Sequence, residues 1–347
     1  MKLHYGRYHP QITTGEFTNV LGPSIKPYFL GTNFDVGTGT WETLTLATSP
    51  ENLRVDPNYE SPRTDQAVVA LERELTRDLG LQMSYVRKWG RAFPGWQETA
   101  GTYALVPIVD DVGPDATGRT IEVFQLQTDP GARQFQITNA TSLSKPAVET
   151  DVHAVSATLT KRMTRWYANA GLTWLRATGL SVESYGASIS QESTLAFARD
   201  GRNPNDYVNR AGRLPGDVGW QFKLQLVYQL PAGFLVSTSV DHREGAHRIR
   251  TQSLSAGLSG GIYGQVALSP RGTFGRLPSF TMVDARVQKD FKLGGSKQLS
   301  LFADMLNVTN ENSPQTVRSS IVDSDVYQFP DSFPFPRRVM LGAKASF

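Results

Sequence analysis

The chain has 347 residues, enough for one large domain or two ordinary ones, and no cysteine, which excludes a disulfide framework and any thiolate metal site. The net charge is only +3 and no dense basic run is present, so nothing points to a nucleic-acid partner. Mean hydropathy is −0.32, and the apolar runs fall far short of the ~20 residues of a spanning helix; a β-barrel escapes that test because only every second residue faces lipid.

In chain order, the first element is a strand from about Lys2 to Tyr8. The amino terminus has no apolar signal-peptide core, so a barrel reading makes the chain the carboxyl-terminal part of something longer. A hairpin then joins about Asp65–Leu75 to Leu81–Phe93 through Thr76-Arg77-Asp78-Leu79-Gly80. Val68, Leu71, Leu75 and Leu79 also fit a helical stripe, so helix and strand both stay open for 65–75. Between 94 and 148 the segments Tyr103–Val109 and Thr120–Leu126 read as a hairpin within a long connection. Asp151 to Lys161 alternates, with Val155, Ala157 and Leu159 on one face and Ser156, Thr158 and Thr160 on the other. Trp166, Ala168, Ala170, Leu172 and Trp174 form an apolar row with a tryptophan at each end, as aromatic girdles at two membrane interfaces require.

Trp220 to Leu230 is the clearest strand, with Leu224 and Leu226 on one face and Gln221, Gln225 and Gln229 on the other. Its length suits the ~9–11 residues of a tilted spanning strand. After the Pro231-Ala232-Gly233 turn come Phe234 to Asp241, then Thr281 to Gln288, then Leu299 to Met305. The last strand, 337–347, sets Val339, Leu341, Ala343, Ala345 and Phe347 against Arg338, Gly342, Lys344 and Ser346, with Met340 the apolar intruder. Connections are short near 76–80, 162–165, 231–233 and 292–296 and long at about 10–64, 94–148, 179–217, 246–279 and 310–336. Short and long alternate strictly, as the periplasmic turns and extracellular loops of an up-and-down outer-membrane barrel do. The expected fold is all-β, an antiparallel transmembrane barrel portion of about ten strands, open as a half-barrel.

No catalytic motif, metal site or cofactor site is expected. His242 and His247 lack the i, i+2 spacing of ligands on a strand, and Asp110, Asp111 and Asp115 miss the spacing of a calcium loop. Glu72 and Glu74 share a strand face and suit lumen lining better than paired-carboxylate catalysis. The lumen-facing candidates are Gln225, Asp284, Arg286, Asp304 and Lys344, with Arg286 paired to Asp304. Trp41, Trp89, Trp96, Tyr103 and Tyr207 lie in or beside long loops; stacking on a ligand and packing within the loop both account for them. Of these, Trp41, Trp96, Tyr103 and Tyr207 are the candidate ligand-contacting aromatics.

Leu-Ser-Leu-Phe-Ala-Asp-Met-Leu-Asn-Val-Thr-Asn (299–310) resembles a strand of TonB-dependent outer-membrane receptors of the Oar-like branch, with Asp304, Asn307 and Asn310 at matching places. Arg276 to Arg286, Asn203-Pro-Asn-Asp206, Gly212-Arg213, Leu230-Pro-Ala-Gly233 and Val55-Asp-Pro-Asn58 are similar in kind. The resemblance implies the carboxyl-terminal barrel part of such a receptor, in the Gram-negative outer membrane, with the plug domain and signal peptide outside this chain. It implies wall and outer loops, contact with membrane lipid, and TonB contact only through the missing amino-terminal part. Phe347 and Gly342 match the terminal signal read by the barrel-assembly machinery, while Ala345 and Met340 depart from it. Asn307 and Asn310 read as strand terminators through side-chain-to-backbone bonds. Two other readings stay open: a self-contained ten-stranded porin or adhesin, and a soluble β-rich carbohydrate-binding protein.

Overall fold

The computed structural model describes residues 1–9, 28–35, 37–48, 53–127, 134–180, 203–214, 216–254, 264–295 and 297–347. Ten strands build its main sheet: β1 (Lys2–Tyr8), β2 (Arg63–Thr76), β3 (Leu79–Phe93), β4 (Val148–Arg162), β5 (Trp166–Gly179), β6 (Gly219–Leu230), β7 (Phe234–Arg243), β8 (Phe280–Gly294), β9 (Lys297–Leu306) and β10 (Arg338–Ser346). Spatial order equals chain order and every pairing is antiparallel, so the sheet runs up and down with no crossover. A two-residue strand, Gly212–Arg213, pairs with the end of β5. Among the described residues β1 bonds only to β2 and β10 only to β9, and the sheet is open.

The segment that fits both patterns, 65–75, is strand. Its helical stripe loses to pairing on both sides: Val69 stands opposite Leu3 and Tyr85, and Leu71 opposite Met83. Tertiary pairing outweighs a propensity difference of a few tenths of a kcal/mol per residue. The short turns carry left-handed residues, as tight hairpins require: Asp78 (φ 63), Ala232 (φ 60) with Gly233 (φ 78), and Gly294 (φ 99) with Gly295 (φ 58). β3, β4 and β8 are each 15 residues long. At ~3.3 Å per residue that exceeds a tilted membrane crossing, so the wall continues past the hydrocarbon.

The long connections hold smaller sheets. Tyr103–Val109 pairs with Thr120–Leu126 as expected, and Thr251–Leu254 pairs with Gly264–Ala267. Phe135–Thr138 pairs antiparallel with Gly95–Glu98 and parallel with Leu53–Val55. That three-residue parallel pairing departs from the expectation of antiparallel pairing throughout; it joins two separate loops, not consecutive strands.

The distribution of apolar side chains inverts that of a water-soluble protein. Deeply buried ones lie mostly in the connections: Trp96, Val123, Phe135, Ile137 and Val266 are at most 1% exposed. On the long strands Leu341 is 81% exposed, Leu3 69% and Val339 61%.

Candidate functional site

Register fixes the two faces of the sheet, because directly opposed residues share a face. One row runs Leu3, Val69, Tyr85, Val155, Trp174, Trp220 across β1 to β6. Leu224, Val240 and Val283 share that face, as do Val287, Ala303 and Leu341. Gln225, Ser239 and Asp284 stand opposite one another on the other face, and so do Ser237, Arg286 and Asp304. Lys344 joins them opposite Ser300. Through the middle of the strands the sheet is therefore mainly apolar on one side and mainly polar on the other, and all five candidate polar residues lie on the polar side.

On the polar face Arg286 grips Asp304 through Nε and through Nη2, the latter at 2.7 Å. This is the pairing expected of them. The guanidinium also stacks 4.5 Å over the Phe302 ring. Phe302, the residue that spoils the alternation of β9, lies over Gly342 of β10, where a Cβ would collide with its ring. The aromatic thus covers backbone that the glycine leaves bare. β9 ends where Asn307 turns left-handed (φ 52). Its side chain donates to Glu311 O and Phe335 O (both 2.9 Å) and accepts from Glu311 N (2.7 Å). Asn310 (φ 54) accepts from Arg337 N at 3.0 Å and ties the start of β10 to the end of β9. Both asparagines therefore have the strand-terminating role expected.

At the long-loop rim a side-chain cluster centres on Asp217, whose carboxylate has no solvent exposure. It accepts from Ala177 N (3.0 Å), Arg213 Nη1 (2.8 Å) and Arg276 Nη2 (3.1 Å). Burial by itself would raise the carboxyl, but these donors outweigh it and hold the group below its ordinary range. His247 Nε2 lies 3.6 Å away, and burial followed by the Arg276 charge depresses its pKa. The cluster clamps the Gly212–Arg213 strand and the 244–248 and 276–277 segments onto the end of β5.

Above this clamp the long connections share one apolar core: Ile121 and Val123 from one, Val266 and Leu268 from a second, Val322 from a third, with Val208 of a fourth packed against them. Asn205 binds Phe124 through both its oxygen and its nitrogen at 2.8 Å, imitating a strand partner. Asn203 caps that short turn by accepting from Asn205 N. Arg250 and Asp110, 1% and 2% exposed as side chains, pair at 2.9 Å in the same region. The family-like Asn203-Pro-Asn-Asp206 and Gly212-Arg213 phrases are thus loop-docking devices.

The other candidate residues distribute as follows. Trp96 and Tyr207 are 1% and 6% exposed, and the Tyr207 hydroxyl donates to Trp96 O at 2.8 Å, so both rings pack within the loop layer. Tyr103 is half-buried, with an edge-on Phe124 ring and a hydrogen bond to Glu98. Trp41 lies on the Thr40–Thr48 strand, and its side chain is outside the described residues. Trp89 stands on the apolar face, opposite Asp65. His242 bonds Thr281 on the apolar face and does not meet His247. Asp110 is used by Arg250 and Thr117, and Glu72 by Lys2. Phe347 is 90% exposed. Sequence reasoning assigned no role to Asp217, Arg276 or Arg250: loop clamps have no periodicity, and only the family-like Gly212-Arg213 and Arg276–Arg286 phrases pointed near them.

No curated protein sequence matches the chain. Among solved structures, the outer membrane transporter YddB from Escherichia coli aligns with 83% of this chain and 33% of its own at 12% identity, TM-score 0.47. The FrpB iron transporter from Neisseria meningitidis aligns with 84% and 32% at 10% identity, TM-score 0.43. The copper transporter OprC aligns with 99% and 35% at 11% identity, TM-score 0.41. The chain thus spans about a third of the length of these structures. Residues 5–243 match the family described as outer membrane beta barrel domain. An up-and-down antiparallel sheet with one apolar face suits the architecture that family name describes, and the chain belongs to it, as a β-barrel protein of the Gram-negative outer membrane.

Proposed function

We propose that this chain forms wall and extracellular loops of a TonB-dependent outer-membrane transporter, the carboxyl-terminal part of a wider barrel that takes up a ligand actively. The polar face, with Gln225, Asp284, Arg286, Asp304 and Lys344, lines the lumen in this reading. The observation that carries it is the open sheet: among the described residues β1 and β10 each present a free ladder edge beside an apolar face. Hydrocarbon cannot satisfy such groups, at several kcal/mol each, so the wall continues through further strands. Transporters of this class have about 22. The loop layer with its own core supports the reading as well, since it gives an ordered surface over the mouth. Energy would reach the chain from TonB through segments outside it, and the terminal strand with Gly342 and Phe347 would engage the barrel-assembly machinery. No catalytic step is assigned to it.

The absence of native cysteine makes the test direct. Leu3→Cys and Leu341→Cys both lie on the apolar face, one on each edge strand. In outer membranes the pair should not form an intrachain disulfide under oxidant, and a photoreactive residue at either position should cross-link to strands outside this chain. Efficient Leu3–Leu341 cross-linking would refute the wider barrel and establish the self-contained ten-stranded alternative. Recovery in the soluble fraction would refute both.

A further inference from the structure

The apolar face carries, near its long-loop ends, charged groups that hydrocarbon would reject. Arg87, His153 and Arg176 stand directly opposite one another on β3, β4 and β5. They form a single row with roughly 4.8 Å between strands. Two residues nearer the short turns on the same face come Tyr85, Val155 and Trp174, where the apolar band begins. Arg7 and Asp65 share this face beside the row. Tryptophan and tyrosine mark the depth of a membrane interface. Long loops mark the extracellular side. The row therefore sits at headgroup depth in the outer leaflet.

The arginines are held for use. Arg87 meets Asp151 side-on, Nη2 at 2.9 Å and Nε at 3.4 Å, and Arg7 meets Asp65 with Nε at 2.7 Å and Nη2 at 3.2 Å. The carboxylates are the covered partners. Asp65 is 4% exposed beneath Arg7 at 53%, and Asp151 29% beneath Arg87 at 45%. Each pair occupies Nε and Nη2 and leaves Nη1 for an outside acceptor. Asp151 also holds His153 at 3.0 Å, and Tyr85 fixes the same imidazole at 2.8 Å. Arg176 is exposed and has no ion pair among the described residues.

We propose that Arg87, through its outward Nη1, and Arg176 bind the phosphate of a lipid phosphomonoester headgroup in the outer leaflet, with His153, whose two ring nitrogens are taken by Asp151 and Tyr85, as the spacer between them. A phosphomonoester carries ≈ −1.5 to −2 charge at neutral pH and three acceptor oxygens, which suits the exposed guanidinium of Arg176 together with the Nη1 of Arg87 in one row. Arg supplies planar donors that a lysine does not. The inference rests on this face meeting lipid and is independent of the transporter reading.

The test uses the protein that contains this chain, purified from outer membranes and exchanged into phosphatidylcholine nanodiscs doped with bisphosphorylated lipid A, its dephosphorylated form, or phosphatidylglycerol, with retained lipid counted by mass spectrometry. Arg176→Gln, at a side chain with no ion pair among the described residues, should weaken lipid A retention about tenfold, as one lost charge-assisted contact does. Arg87→Gln/Arg176→Gln should weaken it further, and Arg87→Lys should recover it only in part. Lys289→Gln, on the same face at the short-turn end, should change it by less than about twofold. Equal retention of phosphorylated and dephosphorylated lipid A, an equal loss in Lys289→Gln, or preference for phosphatidylglycerol would each overturn the proposal.

Discussion

Asp217→Asn tests whether the long-loop layer is clamped to the barrel wall by one buried charge. The substitution keeps the shape and one oxygen, which can still accept from Ala177 N. It replaces the other oxygen by an amide N–H₂ facing a guanidinium. Arg213 and Arg276 are 30% and 22% exposed as side chains, so water compensates part of the loss. A fully buried pair broken from one side costs about 3–5 kcal/mol; with that partial hydration we expect about 2–3 kcal/mol, the worth of one to two charge-assisted hydrogen bonds. The loss should appear as local opening, because the clamp joins Gly212–Arg213 to the end of β5 and leaves the other ladders untouched. Amide exchange at Ala177 and Leu214, whose N–H groups bond across this junction, should accelerate about 30- to 150-fold at 1.4 kcal/mol per decade. The pH dependence has a defined sign. Asp217 is held below its unfolded value of 3.8; its contribution is complete above that value and disappears as pH falls through the folded pKa. His247, depressed below 6.5, adds a loss that begins as pH drops under 6.5, because the unfolded loop then binds a proton the clamp refuses. Unchanged exchange at Ala177 and Leu214 in Asp217→Asn, or acceleration spread evenly over β8 to β10, would refute the clamp.

The remaining predictions address the two faces and the loop layer. Leu226→Arg should destabilise the membrane-inserted protein by about 2–4 kcal/mol in a reversible unfolding titration in vesicles, while its neighbour Gln225→Arg on the opposite face should change little; equal costs would contradict the sidedness. Lys145, with no exposed side-chain surface, donates to Ala140 O at 2.9 Å, and burial pushes its pKa down to about 8. The native loop should therefore gain stability as pH rises from about 8 towards 10.5, and Lys145→Met should strengthen the loop at pH 7 by about 1–3 kcal/mol, seen as slower proteolysis between 134 and 150. A loop cleaved faster in Lys145→Met would count against a strained charge there. Gly342→Val should displace Phe302 and cost about 1–3 kcal/mol, read as a lower temperature of heat-modified mobility; Phe302→Ala/Gly342→Val should recover part of it, and no recovery would show that the ring does not cover the glycine.

What was legible in the sequence was whatever repeats along a strand. Alternation at 220–230 and 338–346 assigned those strands to a two-faced sheet, and the alternating loop lengths gave the order of all ten before any pairing was known. Residues that break the period were harder to interpret, because their reason lies on a neighbouring strand: Phe302 looks like an error in β9 until Gly342 is placed opposite it. The segment at 65–75 was ambiguous for the same cause, since its helical stripe and its strand face differ only in what stands beside them. Loop residues were least legible. Asp217, Arg276 and Arg250 act across separations of 59 and 140 residues, and nothing local marks an arginine that will meet a distant carboxylate. Trp96 and Tyr207 show the converse: aromatic residues in long loops suggest a contact surface, and here their rings fill the layer that makes the loops ordered. A barrel wall exposes its apolar side chains to lipid and so has no core of its own to hold its loops. The buried clamp at Asp217 and the shared cluster around Val123 supply that core above the membrane, where water restores the hydrophobic effect that lipid removes.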